Sequence, residues 1–282
     1  MTAAPAPALD SERPRPRYDH RILAHSAALV WRNVIRIKRE PSILAFTLIQ
    51  PIIFVLLFSF VYSGVISIPG VNYTDFIMAG IFAQTIVFGA TITASSLAQD
   101  LQSGFIARLR TLPINSAAVL IGRTGADLGV TLLSITVMIL TGLAVGWRIR
   151  SDLVGALAGV GLLVLFAFAM SWLMVFLGLS VRNPEAITSA SLLLLFPLTF
   201  VSEAFVPAST LPQPLHIIAE WNPVSALVYA TRNLFGNLPA ATAPETWLQS
   251  NAIGIITVSS LALLCVFIPL SVRRFARLND RL

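Results

Sequence analysis

Arg123 and Asp127 stand four residues apart, a spacing that puts a guanidinium and a carboxylate on one face of a helix. Both sit next to an apolar run, where an ionisable group is costly unless paired and is therefore a functional candidate. Two readings stand side by side: a structural ion pair near the cytoplasmic end of a span, or a contact with a coupling element or substrate. Glu203 follows Pro197, lies two residues before Phe205 and has no cation close in sequence. It is either a cavity carboxylate at an outer mouth, able to meet a cationic amine, or a solvated helix end. The three histidines, His20, His25 and His216, are scattered, and Cys265 has no second thiol, so neither a metal set nor a disulfide is expected. No Gly-x-x-x-x-Gly-Lys-Ser/Thr loop and no Gly-x-Ser-x-Gly elbow occurs. An enzyme is therefore not expected, and any ATP and Mg belong to another chain.

The elements that must hold these residues follow from composition. Of 282 residues, 56% are hydrophobic and only 11% charged, against about 25% charged in soluble domains. That leaves too little polar surface to coat a soluble core. The net charge of +6 sits at the edges of apolar runs, which argues against nucleic acid as a partner and for membrane lipids. A helix needs about 20 apolar residues to cross a bilayer. Uncharged runs of that order extend over Pro41 to Thr74, Phe76 to Gln99, Leu128 to Trp147, Leu153 to Val181, Ala186 to Ser202 and Thr246 to Val272. The expected fold is all-α, a polytopic membrane protein with six transmembrane helices. The fifth run is the shortest and contains Pro197, so it either crosses or folds back.

Lys and Arg orient the spans, because cytoplasmic loops hold the excess. Sixteen of the nineteen basic residues fall on one side under this assignment, with Arg148, Arg150 and Arg232 on the other. Both termini are then cytoplasmic. The first forty residues carry charges throughout and lack the apolar region of a secretory signal, so the first span is expected to direct insertion.

Three segments are not simple spans. Residues 1–20, with Pro5, Pro7, Pro14 and Pro16, read as a disordered cytoplasmic lead, and residues 21–40 as an amphipathic interfacial helix. The domain proper is 41–282. Between spans two and three, at about 99–113, Leu101, Phe105, Leu109 and Leu112 fall on one helical face, Arg110 points away from it, and Pro113 ends the pattern. A short cytoplasmic helix there either offers a surface to a partner or only connects two spans. At about 203–250, Pro-rich turns and the pair Asn222-Pro223, which suits a helix start, predict short outer helices before the last span, with Trp221 and Trp247 at headgroup level.

Taken together, these pieces resemble the type-2 permeases of ATP-binding cassette exporters, and especially the daunorubicin/doxorubicin-resistance membrane subunits. The likeness spans nearly the whole chain. It is carried by Gln99-Asp100 through Phe105, by Arg108-Leu109-Arg110-Thr111-Leu112-Pro113, by Arg182-Asn183-Pro184-Glu185, by Leu193 to Phe200 and by Asn222-Pro223-Val224-Ser225. The resemblance implies that Asp100, Leu101, Gly104, Phe105, Arg108, Leu109, Arg110, Leu112 and Pro113 form a coupling helix on a separate nucleotide-binding ATPase subunit. It implies two such subunits, a second permease copy or a homologous permease, and a path between the two permeases. Residues Arg123, Asp127, Pro197, Glu203, Phe205, Asn222 and Pro223 are candidates for that path or for structural pairing. The expected location is the bacterial plasma membrane, and the expected cargo is a hydrophobic or amphipathic compound exported outward. A glycolipid or lipooligosaccharide exporter, and a non-transporting scaffold or immunity factor, are the alternatives.

Overall fold

A computed structural model describes residues 30, 35, 41–63, 70–103, 116–181, 183–205, 211–238 and 246–280. Within them the chain is helical: α1 (Pro41–Leu57, continued by a π-helical turn, Phe58–Tyr62), α2 (Tyr73–Gln102), α3 (Ser116–Ala144), α4 (Leu153–Ser180), α5 (Pro184–Phe200), α6 (Gln213–Glu220), α7 (Pro223–Leu234), α8 (Trp247–Ser250) and α9 (Ala252–Asp280). Four of these, α2, α3, α4 and α9, are long and apolar enough to cross a membrane. Two shorter apolar stretches accompany them, Thr47–Val61 and Glu185–Phe200.

Local chemistry sets the helix starts. Before α2, the side-chain oxygen of Asn72 accepts from the Thr74 amide at 3.2 Å, before α4 Asp152 Oδ1 accepts from Gly155 at 3.0 Å, and before α5 Asn183 Oδ1 accepts from Glu185 at 3.0 Å. Each satisfies an amide that the first helical turn leaves open. At the other end of α4, Arg274 Nε of α9 donates to the Leu179 carbonyl at 3.1 Å, a cation at the negative pole of a helix. Helix α3 begins at Ser116, well before the uncharged run opening at Leu128, so Arg123 and Asp127 are interior to it.

Helix α2 is the hub, packed against α1, α3, α4, α5 and α7, while α9 lies outside against α4 and α7. Small residues allow this, as in membrane helices generally. A Cβ at Gly178 of α4 would meet the Ala94 carbonyl of α2 at 2.9 Å, and one at Gly80 of α2 would collide with the Ala204 carbonyl. One end of the bundle is closed by aromatics. Phe82, Trp147 and Phe235 pack with ring centroids 5.6–5.9 Å apart, and Trp147 Nε1 donates to Asn237 Oδ1 at 2.9 Å. Asn237 in turn donates to the Arg148 carbonyl at 3.0 Å, which ties the α3–α4 connection to the end of α7. Gly236, at φ +69°, makes the left-handed step after α7 that a side chain disfavours.

The expected short helices in 203–250 are present as α6, α7 and α8, and α7 starts at Pro223 with Asn222 as its cap. Trp221 and Trp247 stand beside each other with centroids 6.2 Å apart, both largely exposed. Of the expected interfacial helix at 21–40, only Val30 and Ile35 are described. Val30 reaches α3, where a Cβ at Gly125 would meet its Cγ2 at 2.9 Å.

Candidate ligand cavity and ion cluster

The four-residue spacing of Arg123 and Asp127 brings them together on α3, with Arg123 Nε 3.6 Å from Asp127 Oδ2. A second carboxylate completes the cluster from another helix: Arg123 Nη1 lies 3.3 Å from Asp100 Oδ2, on the last turns of α2. Thr93, one α2 face above, donates its hydroxyl to Asp127 Oδ2 at 2.8 Å. All three charged side chains are mostly buried. Two carboxylates thus face one guanidinium.

Arg123, Asp127 and Thr93, but not Asp100, line a cavity of about 410 Å³ between α1, α2 and α3, with α4 and α5 contributing at its sides. That volume falls in the range of small-molecule sites, roughly 300–1,000 Å³. Its wall mixes apolar groups such as Phe54, Phe88 and Met138 with amides and hydroxyls, among them Gln50, Gln84 and Ser134. The arrangement suits a ligand that is mostly apolar with a few hydrogen-bonding groups.

The remaining path candidates gather at the opposite end of α2. Asn222 Nδ2 donates to the carbonyls of Leu198 and Val201 at 2.7 and 2.6 Å, tying the end of α5 to the start of α7, while its Oδ1 caps Val224 at 2.9 Å. Pro197 accepts from the Val201 amide at 2.9 Å in the last turn of α5, and Pro223 opens α7. Glu203 is 6% exposed, and its Oε1 accepts from Gln249 Nε2 of α8 at 3.2 Å. Phe205 stacks between Phe58 and Phe200, at centroid distances of 5.3 Å to each. The sequence candidates therefore form two groups, one at each end of the central helix. Neither Glu203 nor Phe205 lines the cavity.

Arg232 was missed by the sequence reading beyond its place on the outer side. It is 3% exposed, lies 3.5 Å over the Phe76 ring, and donates to the carbonyls of Phe76 at 2.9 Å and Glu203 at 2.8 Å. The signal was present: Val224, Val228 and Thr231 with Arg232 repeat at helical spacing on the face that α7 buries. Asp100 was assigned only to the coupling segment, because a partner 23 residues away on another helix leaves no local pattern. Of that segment, Asp100 and Leu101 are described, and Gly104, Phe105, Arg108, Leu109, Arg110, Leu112 and Pro113 lie outside the described residues.

Four helices long and apolar enough to cross a membrane thus surround or flank a cavity of ligand size. The sequence profile described as ABC-2 type transporter matches residues 25–235, and the chain belongs to that family, whose membrane permeases work with separate ATP-binding subunits. It is 29% identical over 261 residues to the daunorubicin resistance ABC transporter permease protein DrrB1 of Streptomyces coeruleorubidus, covering 92% of this chain and 89% of that one. A putative transport permease, ycf38, of Pyropia yezoensis is 28% identical over 228 residues, 78% of this chain and 77% of that protein. A probable doxorubicin resistance ABC transporter permease protein, DrrC, of Mycobacterium tuberculosis is 27% identical over 146 residues, about half of each chain at 52%.

Proposed function

We propose that this chain is the membrane half of an ATP-driven exporter that moves a hydrophobic or amphipathic compound, a drug, antibiotic or lipid, outward across a bacterial plasma membrane. The observation that carries this reading is the nearly full-length likeness to a daunorubicin resistance permease, within a family that works with ATP-binding subunits. The chain crosses six times, the two shorter apolar helices completing the four long ones, with both termini in the cytoplasm. Two copies, or this chain and a homologous permease, pair with two ATPase subunits that bind the ATP and Mg.

The path runs between the two permeases along α1, α2 and α5. A run of phenylalanines on these elements and the turn after α5 supports it: Phe54, Phe58, Phe205, Phe200, Phe196 and Phe88 follow one another at centroid distances of 4.2–6.4 Å. Such a ladder offers an apolar track with no charge to hold a ligand in place. The segment from Asp100 to Pro113 docks on the ATPase, with Phe105 as its buried anchor and Arg108 and Arg110 at an acidic rim.

Daunorubicin uptake into inside-out vesicles containing this chain and its ATPase tests the reading. ATP-dependent uptake that Phe105→Ala reduces, with unchanged membrane insertion, is expected. An ATPase that never co-purifies with the chain, together with drug accumulation unaltered by its deletion, overturns it.

A further inference from the structure

Of the four long helices α9 is the least buried, and its outward residues fall on one stripe. Val258, Ala262, Val266 and Leu270 are exposed at intervals of four residues, and Arg273 and Arg277 continue the same exposed face one and two turns further on. Arg274 joins them from the side. Its Nε donates to the Leu179 carbonyl of α4 at 3.1 Å, and its guanidinium lies 5.6 Å from the centroid of the Phe176 ring. These contacts fix the group from a second helix and leave its two terminal nitrogens without a hydrogen bond among the described residues. No carboxylate among the described residues lies within ion-pair distance of any of the three arginines. The sequence adds Arg281 and a single acid, Asp280, so this end of α9 carries four guanidiniums against one side-chain carboxylate.

Cations at the end of an apolar stripe of the right length fit one kind of molecule. From Ala262 to Arg273 the helix rises about 17 Å, against about 15 Å for one leaflet of a hydrocarbon core about 30 Å thick. We infer that this end of α9, together with the last turn of α4, holds an anionic phospholipid, its acyl chains along Val258 to Leu270 and its phosphodiester among Arg273, Arg274 and Arg277. The guanidinium fork matches two phosphate oxygens, and clustered arginines beside a span attract anionic headgroups. A zwitterionic lipid offers the same phosphate but brings an ammonium that the arginines repel. A second copy of this chain on the same face would bring the same excess of arginines and be repelled likewise. Helix α9 lies outside, against α4 and α7, so this lipid stays clear of a path along α1, α2 and α5, and its binding does not rest on the exporter reading.

Cys265, the one cysteine of the chain, is exposed beside the stripe, about 12 Å along the helix from Arg273, and serves as the reporter. The full chain, labelled there with bimane, is placed in phosphatidylcholine nanodiscs. A small fixed fraction of the lipid is either phosphatidylglycerol or phosphatidylcholine brominated midway along its acyl chains. Brominated phosphatidylglycerol should quench as though its local fraction were about threefold or more above that in the disc, since even one surface cation corresponds to roughly fivefold. Arg273→Gln/Arg277→Gln should bring its quenching down to that of brominated phosphatidylcholine, and Arg274→Gln should bring it partway. Arg148→Gln, at the opposite end of α4, should change nothing. Quenching by brominated phosphatidylcholine should stay the same in every variant, which shows that α9 still faces lipid in the folded chain. Equal quenching by the two lipids in the unsubstituted chain overturns the site without recourse to any variant. Enrichment that survives Arg273→Gln/Arg277→Gln overturns it as well, and so does quenching by neither lipid, the result of a protein covering this face.

Discussion

Arg123 of α3 lies 3.3 Å from Asp100 of α2, so a guanidinium on one helix holds the last turn of another. The same cation meets Asp127 on its own helix. Whatever moves α3 beside the cavity therefore pulls on α2 through Arg123.

Removing that cation leaves two mostly buried carboxylates facing each other. Arg123→Gln should cost about 3–5 kcal/mol, the range for stripping one partner from a buried ion pair. Asp100→Asn alone leaves the Arg123–Asp127 pair and should cost much less. In the double variant Arg123→Gln/Asp127→Asn part of the loss should return. Thermal unfolding of the detergent-solubilised variants, combined as a double-mutant cycle, measures this; additive losses would show that the two residues do not act on each other.

The approach of α2 to the segment after α5 is set by the absence of a side chain at Gly80. Gly80→Ala drives a methyl into the Ala204 backbone carbonyl, which no rotamer relieves, and should cost about 1–3 kcal/mol or more. Gly161→Ala on α4 points into open space and should be neutral or mildly stabilising, since Ala favours a helix over Gly by about 1 kcal/mol. A comparison of folded yield and unfolding temperature separates them.

Trp147→Phe keeps the ring packing but leaves Asn237 Oδ1 without its indole donor. A loss of about 1–3 kcal/mol is expected, with transport falling only in proportion to folded protein. Unfolding temperature and transport per folded molecule give the answer, and an unchanged unfolding temperature would mean that this hydrogen bond adds nothing.

Glu203 is held by Gln249 and sits against Arg232's hydrogen bond to its carbonyl, away from the cavity. Glu203→Gln should therefore slow export of cationic and neutral substrates alike. A selective loss for cations, read as two export rates in one vesicle preparation, would instead make this carboxylate part of the substrate path.

What the sequence made legible follows the range of the interactions. Apolar runs located the four long helices, because the need for about 20 apolar residues is a local property. The caps at Asn222 and Pro223 and the Arg123–Asp127 pair were legible for the same reason. The uncharged run opening at Leu128 did not show how far α3 extends toward Ser116, although the Arg123–Asp127 spacing already placed both residues on its helix, which continues because the charges are paired. Asp100 as Arg123's second partner, Gln84 as an open acceptor and Arg232 as a buried tie between α7 and α2 all depend on contacts between distant segments. No periodicity records those.

The central claim is that ATP hydrolysed by a partner drives a compound through this chain. Accumulation of fluorescent hydrophobic cations and neutral hydrophobes in inside-out vesicles, with the chain and its co-purifying ATPase present, tests it most directly. The account predicts that at least one compound accumulates with ATP, fails to do so with ADP, and loses that accumulation when the chain is omitted. Identical ATP-dependent accumulation with and without the chain, across the whole panel, would contradict it.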